Sequence, residues 1–279
     1  MYDKGPLLGC SAARLSSFEI DMIRPRIAAL LLLLPATGPA QRPAANSPMR
    51  VLFIGNSYTY VNDLPMVIAD LASAAHEARP FKPDVVLVGG ATLEGHIAGH
   101  DALPAIARGG WDAIVLQEQS TRPITDPDKM WRDVKTLADA AKKVNAKLIL
   151  YETWAREGLP KTQDSLTHVY HKAASDVHAV VAPVGEVWSA FRAQEGTIPA
   201  GAHSALFRAD GSHPSPVGTY LAATVLYQTL YGKAPVGLPA ITRNSFTQPS
   251  PGAAPDDPKD TIPTGLARRI QELASRVKK

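Results

Sequence analysis

The stretch Val51-Leu-Phe-Ile-Gly-Asn-Ser-Tyr-Thr59 decides the fold of this chain. Its four leading apolar residues, β-branched at both ends, predict a buried strand, and Gly55 then allows a sharp turn. A helical pattern of apolar residues begins near Asp63. Ser57 is therefore expected on a strand-to-helix turn at the carboxyl edge of a sheet, where open α/β sheets bind their ligands. This position suits a nucleophilic serine, although serine is also common at the start of any helix.

Four further apolar segments predict strands, at residues 84–88, 113–116, 147–151 and 179–184. Helical patterns lie between the strands, near residues 63–78, 92–108, 128–145 and 162–178, and another helix is expected from Pro216 to Tyr231. Short apolar strands that alternate with helices indicate parallel βαβ units. We therefore expect a three-layer α/β/α flavodoxin-like sandwich with a central five-stranded parallel sheet.

The rest of the chain adds one connection and one helix to this pattern. Residues 232–262 are rich in Pro and Gly and predict a surface connection. A stripe of apolar residues then predicts a C-terminal helix over 263–278. No internal repeat and no second domain are visible. We therefore expect residues 41–279 to form a single domain.

Residues 1–40 have the pattern of a leader. A basic start at Met22 is followed by an unbroken apolar run, residues 27–34, and by small residues before position 41. Residues 1–21 carry acidic residues that do not fit this pattern, so we expect translation to start at Met22 and residues 22–40 to be a signal peptide. The apolar run is too short for a stable membrane span. The expected location is secreted or periplasmic.

Composition excludes several classes of protein. The net charge is only +3, and no run of basic residues suggests a nucleic-acid partner. Cys10 is the single cysteine, so an internal disulfide and a cysteine metal cluster are excluded. No pattern specifies an oligomeric state.

A second polar segment, Asp210-Gly-Ser-His-Pro-Ser215, comes just before the helix predicted from Pro216. Histidine can take a proton from a serine and return it to a leaving group, and an aspartate can orient the imidazole. Three residues of separation allow Asp210 and His213 to face one site across a turn. Taken alone, this segment predicts only an ordinary polar turn. It supports a catalytic role because it occurs together with Ser57.

Three groups at predicted strand ends are candidate donors for an oxyanion. They are the backbone amide of Ser57, the backbone amide of Gly90 and the side-chain amide of Gln119. Because the carboxyl ends of parallel strands share one edge of the sheet, we expect all three donors along that edge.

These segments together resemble the SGNH hydrolases, also called the GDSL family of esterases and lipases. The segment around Ser57 resembles the first family block, the one around Gly90 the second, and Asp210-Gly-Ser-His-Pro the fifth. Val115-Leu-Gln-Glu-Gln-Ser120 falls where the third block belongs, but it offers Gln119 where the family usually has asparagine. The longer arm of glutamine changes the donor geometry, and Gln117 is the alternative donor. This variant of the block is closest to divergent extracellular members.

The resemblance implies an exported serine esterase with a Ser57–His213–Asp210 triad and an oxyanion hole formed by Ser57, Gly90 and Gln119. It implies no metal and no organic cofactor. The substrate would be a small-molecule or saccharide ester. A lysophospholipase or thioesterase on the same fold, and a non-catalytic protein that binds a saccharide or another small ligand, are alternatives. A nucleotide-binding protein is a weaker alternative, because the loop after the first strand has too few glycines and hydroxyls to surround a phosphate.

Further side chains near this edge are candidates for binding. Trp154 and Arg156 follow the fourth strand, where the ring is expected either to stack on a sugar or to pack under a loop. His96 follows the second block and is a candidate for contact with substrate. The other histidines on helices have no telling spacing, so a solvated helix face is favoured over a zinc site; they are His100, His168, His171 and His178.

Overall fold

The computed structural model of the chain describes residues 47–196, 202–246 and 259–277. All of these residues belong to one compact unit that runs from Pro43 to Lys279. The predicted leader, residues 1–40, lies outside the described residues.

A five-stranded sheet forms the centre of this unit, and every neighbouring pair of strands is parallel. In chain order the strands are β1 (Met49–Gly55), β2 (Phe81–Leu87), β3 (Ala113–Leu116), β4 (Lys147–Tyr151) and β5 (Val180–Ala182). Their order across the sheet is β2-β1-β3-β4-β5, which leaves β5 at an edge, as Pro183 suggested. The chain leaves β1 toward β2 and then returns to the other side of β1, so the topological switch point lies between β1 and β3.

Helices cover both faces of the sheet. In chain order they are α1 (Ser57–Tyr60), α2 (Leu64–Ala74), α3 (Leu93–Ala98), α4 (Ala102–Ala107), α5 (Arg122–Thr125), α6 (Pro127–Lys143), α7 (Gln163–Val177), α8 (Val184–Arg192), α9 (Pro216–Tyr231) and α10 (Thr264–Ser275). Two short 3-10 helices, Val61–Asp63 and Pro160–Thr162, precede α2 and α7. The predicted three-layer α/β/α fold with a five-stranded parallel sheet is confirmed.

The pleat of β1 divides the apolar core into two clusters. Val51 and Phe53 pack with α2, α8, α9 and α10 on one face, whereas Leu52 and Ile54 pack with α3, α4, α6 and α7 on the other. Because side chains alternate along a strand, a continuous apolar strand supplies both faces, which explains why β1 shows no alternation of polar residues.

Two local predictions need correction, and one helix was missed. The helix expected near 92–108 is two helices, because His100 takes a left-handed backbone with a φ of 59°. The connection over 232–262 is not surface loop throughout, since β6 (Ile241–Arg243) and β7 (Lys259–Thr261) pair as an antiparallel ribbon with Thr242 and Arg243 buried. Helix α8 was not predicted.

No helix in the described part of the chain combines the length and the apolar character needed to cross a bilayer.

Candidate active site

Ser57 is the first residue of α1, directly after β1, and only 8% of it is exposed. Asn56 holds this turn from both ends of its side chain. Its Oδ1 accepts a hydrogen bond from the Tyr58 amide at 3.1 Å, and its Nδ2 donates to the Ala91 carbonyl at 2.8 Å. The turns after β1 and β2 are therefore tied together beside Ser57.

Gly55 is required by a close approach of the neighbouring strand. A Cβ atom at this position would lie 2.6 Å from Oε1 of Gln117, which is closer than real contacts allow. That oxygen accepts hydrogen bonds from the Asn56 amide and from the Thr59 hydroxyl, both at 2.9 Å. The side chain of Gln117 thus fixes the turn that carries Ser57.

His213 contacts both Ser57 and Asp210. Its Nε2 lies 2.9 Å from the Ser57 hydroxyl, and its Nδ1 lies 2.5 Å from Oδ2 of Asp210. The other oxygen of Asp210 accepts hydrogen bonds from the backbone amides of Ser212 and His213, at 2.9 and 2.8 Å. One carboxylate therefore sets both the imidazole and the turn beneath it.

Partial burial works against the charged form of Asp210, but the hydrogen bonds from His213 and from the two backbone amides outweigh it and lower the pKa of that carboxyl. Asp210 is therefore ionised at neutral pH, and it accepts rather than donates the hydrogen bond at Nδ1 of His213. This fixes the tautomer, since the proton sits on Nδ1 and Nε2 is left to accept from Ser57.

Two backbone amides near Ser57 are available as donors. No described residue accepts a hydrogen bond from the amide of Ser57, which begins α1, or from that of Gly90, which has a left-handed φ of 68°. A glycine adopts this conformation without the strain that a side chain would add. Both amides follow adjacent strands at the same edge of the sheet.

The two glutamines after β3 have different surroundings. Gln117 is 1% exposed, and its Nε2 donates to the Glu118 carbonyl, so the burial of this side chain disfavours it as the alternative donor. Gln119 is half-buried, and its Oε1 accepts from the Thr121 amide, the Thr121 hydroxyl and the Arg122 amide. Because the oxygen faces its own turn, the Nε2 end of Gln119 faces away from that turn.

Glu118, between these glutamines, has a structural role that the sequence did not indicate. Its side chain is fully buried, and Oε1 accepts from the Leu93 amide at 3.1 Å and from the Gln119 amide at 2.6 Å. Burial raises the pKa of this carboxyl to about 7 against the effect of these two hydrogen bonds. Glu118 thereby joins the turns after β2 and β3.

Trp154 is part of an aromatic stack beneath the site, so of the two placements expected for it the structure has the packed one, and its assignment to substrate binding is corrected. The ring is fully buried between Tyr58, at a centroid distance of 4.4 Å, and Trp188, at 4.0 Å. Its Nε1 donates to the Ser212 carbonyl at 3.0 Å, and the Tyr58 hydroxyl contacts the Ser212 hydroxyl at 2.7 Å. The stack therefore connects the Ser57 turn to the segment that carries His213.

His96 is also buried rather than open to substrate. It is 1% exposed, with Nε2 on the Gly55 carbonyl at 2.8 Å and Nδ1 near Asp101 at 3.2 Å. The expectation of a substrate contact is thus corrected, because both ring nitrogens have partners within the protein.

Two exposed side chains remain at the rim of the site. Arg156 is exposed, and it donates to the Ser120 hydroxyl at 3.0 Å. Phe246 is 52% exposed and sets its ring at 74° to that of His213, with the centroids 5.1 Å apart. Sequence analysis missed Phe246, because it lies in the segment interpreted as a surface connection and only the folded chain brings it to His213.

Comparison with known proteins identifies the family. No protein-family model and no curated protein matches the chain. A solved protein assigned as an SGNH hydrolase, from Slackia heliotrinireducens, is 34% identical over 66% of this chain and 100% of its own, with a TM-score of 0.55.

Two other solved structures share the fold at lower identity. A lipase/acylhydrolase from Enterococcus faecalis is 16% identical over 66% of this chain and 95% of its own, with a TM-score of 0.54. An acetyl xylan esterase from Geobacillus stearothermophilus is 17% identical over 66% and 95%, with a TM-score of 0.52. These two likenesses concern the fold, whereas the protein from Slackia combines the fold with substantial identity over its whole length. The chain therefore belongs to the SGNH hydrolases.

Proposed function

We propose that the protein is a serine esterase that hydrolyses small carboxylic esters through an acyl-enzyme intermediate. Ser57 is the nucleophile, His213 the general base and acid, and Asp210 the group that orients His213. The observation that carries the proposal is the pair of contacts made by His213, 2.9 Å from Ser57 at one nitrogen and 2.5 Å from Asp210 at the other.

The reaction proceeds in two halves. His213 accepts the proton of the Ser57 hydroxyl as Oγ attacks the ester carbonyl carbon, and it then gives that proton to the leaving alcohol. In the second half a water molecule gives a proton to His213 and attacks the acyl-enzyme, so the acid leaves and Ser57 regains its proton. The amides of Ser57 and Gly90, with Nε2 of Gln119, bind the negative oxygen in both halves.

The surroundings of Ser57 favour a small acyl group. Ser57 is almost covered, and Phe246 stands beside His213 as an apolar wall. Arg156, the remaining candidate for substrate binding, is exposed and presents a guanidinium to hydroxyls or a carboxylate. The likeness to an acetyl xylan esterase supports acetyl groups on saccharides as the substrate class.

The test is hydrolysis of p-nitrophenyl acetate against longer-chain esters by the full chain and its variants. We expect activity on the acetate that decreases with chain length. Ser57→Ala and His213→Ala should each reduce kcat by at least about a thousandfold, because each removes a member of one cooperating unit. Ser175→Ala and His168→Ala, which change exposed residues of α7, are the matched controls.

The outcomes separate the candidate functions. Equal activity in the parent and in both site variants would contradict the role of Ser57. An inert parent that binds saccharides would point to a binding protein on this fold. A preference for long acyl chains or for thioesters would redirect the substrate class toward a lysophospholipase or a thioesterase.

The proposal includes export through the leader predicted over residues 22–40. It rests on the basic start, the apolar run 27–34 and the small residues before position 41. When the full gene is expressed in a bacterial host, the protein recovered outside the cytoplasm should begin at Gln41. An intact N-terminus on protein found only in the cytoplasm would exclude export.

A further inference from the structure

A buried carboxylate with one unpartnered oxygen lies at the end of β4, outside the site around Ser57. Glu152 is fully buried, and its Oε1 accepts hydrogen bonds from Nε2 of Gln163 at 3.0 Å and from the Thr167 hydroxyl at 2.5 Å. Its Oε2 has no hydrogen-bond partner among the described residues. A buried polar atom without a partner costs free energy, so this oxygen needs an explanation that the esterase mechanism does not supply.

Two more metal-ligating side chains meet Glu152 at this point. His171 lies on α7, one turn beyond Thr167, and its Nε2 is 2.9 Å from Oε1 of Glu186 on α8. Glu152, His171 and Glu186 each offer one ligand atom, and these atoms all lie within 4.8 Å of one another. Ligand atoms that each lie about 2.0–2.2 Å from one ion must also lie close to one another. The short separations among these three ligand atoms are therefore compatible with a shared ion.

The balance of charge at this cluster favours a bound cation. Two carboxylates converge here, and among the described residues neither one pairs with a lysine or an arginine; Glu186 has only His171 as an ion-pair partner. A cation among the three side chains would satisfy the free oxygen of Glu152 and would also offset the repulsion between the two carboxylates.

We propose that Glu152, His171 and Glu186 form a binding site for a divalent transition-metal ion, with zinc as the best match. One imidazole and two carboxylates are ligands that zinc accepts, and water would complete a tetrahedral set. Gln163 and Thr167 hold the Glu152 carboxylate from behind, as outer residues of metal sites do. The side chains of His171 and Glu186 are 52% and 41% exposed, so an ion can reach the site from solvent.

The bound ion would join α7, α8 and the end of β4. It takes no part in the esterase reaction proposed for Ser57, so the two proposals can fail separately. The inference also departs from the sequence-based expectation of no metal, under which His171 was part of a solvated helix face. No sequence motif indicates this site, because the three ligands are 19 and 15 residues apart and come from three elements.

The experiment titrates zinc chloride into the chelator-treated full chain and measures the heat of binding, with the thermal unfolding midpoint as a second readout. We expect one saturable zinc equivalent at this site and a higher midpoint when zinc is bound. His171→Ala and Glu186→Gln should each weaken this binding by at least about a hundredfold, since even outer residues of metal sites are worth up to that much. His168→Ala, on an exposed position of the same helix, should bind zinc as the parent does.

The proposal is overturned if the parent shows no saturable binding, or if His171→Ala and Glu186→Gln bind zinc as tightly as the parent. It is also overturned if only His168→Ala weakens binding, which would place zinc at a surface histidine. The side chains of His171 and Glu186 are both partly exposed, so the two variants should have the circular dichroism spectrum of the parent. A loss of zinc binding would then result from the loss of a ligand and not from unfolding.

Discussion

Gln119 is the residue at which this chain departs most from the usual family pattern. Its carboxamide oxygen is fixed by three donors from Thr121 and Arg122, so the side chain has one orientation and presents Nε2 on the opposite side. Gln117 is a poorer candidate for the donor, because its side chain is buried and both ends of its carboxamide bond within the protein. If a third oxyanion donor exists, the geometry favours Nε2 of Gln119.

The change Gln119→Glu tests this assignment at a single atom. Glutamate keeps the oxygen that accepts from Thr121 and Arg122, but it replaces the donor with a second acceptor that repels an oxyanion. We expect kcat for p-nitrophenyl acetate to decrease by about 10²–10³, with a smaller change in KM, because the lost interaction forms mainly in the transition state. A kcat equal to that of the parent, measured on protein with an unchanged unfolding midpoint, would mean that two backbone amides suffice.

At the scale of elements, segments with a clear apolar pattern of their own were predictable, whereas elements held mainly by tertiary contacts were not. The strand positions of the central sheet and the limits of α9 followed from apolar runs and from Pro216. The ribbon of β6 and β7 has three residues in each strand, and tertiary contacts hold it: Thr242 donates to the Pro216 carbonyl at 2.9 Å, and Arg243 pairs with Asp70 at 3.0 Å. No local pattern records such contacts.

The same distinction applies to the site. The contact between Asp210 and His213 was predictable because they are neighbours in one turn, whereas their place beside Ser57 was expected from the resemblance to the SGNH hydrolases. The choice between an exposed and a buried Trp154 could not be made from the sequence, since the burial depends on Trp188 from α8, an element that the sequence analysis missed. Residues after a strand can thus be assigned to an edge of the sheet, but their exposure depends on which elements close over them.

For the whole molecule, a buried carboxyl group makes stability depend on pH. Burial raises the pKa of Glu118 to about 7, whereas this group ionises near 4.5 when the chain is unfolded. Between those values the folded state holds more protons than the unfolded state, so the free energy of unfolding decreases as pH rises. The contribution of Glu118 is fully present below pH 4.5 and is lost as pH rises through about 7.

The change Glu118→Gln should remove that part of the pH dependence. Glutamine can still accept from the Leu93 and Gln119 amides, and it never ionises. Between pH 5 and pH 8 the parent should lose about 2.5 kcal/mol of its free energy of unfolding that the variant keeps, because each pKa unit is worth about 1.4 kcal/mol and most of the titration of Glu118 falls in this range. The measurement is urea unfolding at both pH values in the presence of a chelator, and the comparison with the parent cancels the titration of the histidines. Glu272→Gln on the exposed face of α10 should follow the parent, and a Glu118→Gln variant that also followed it would show that Glu118 is ionised in the folded protein at pH 5.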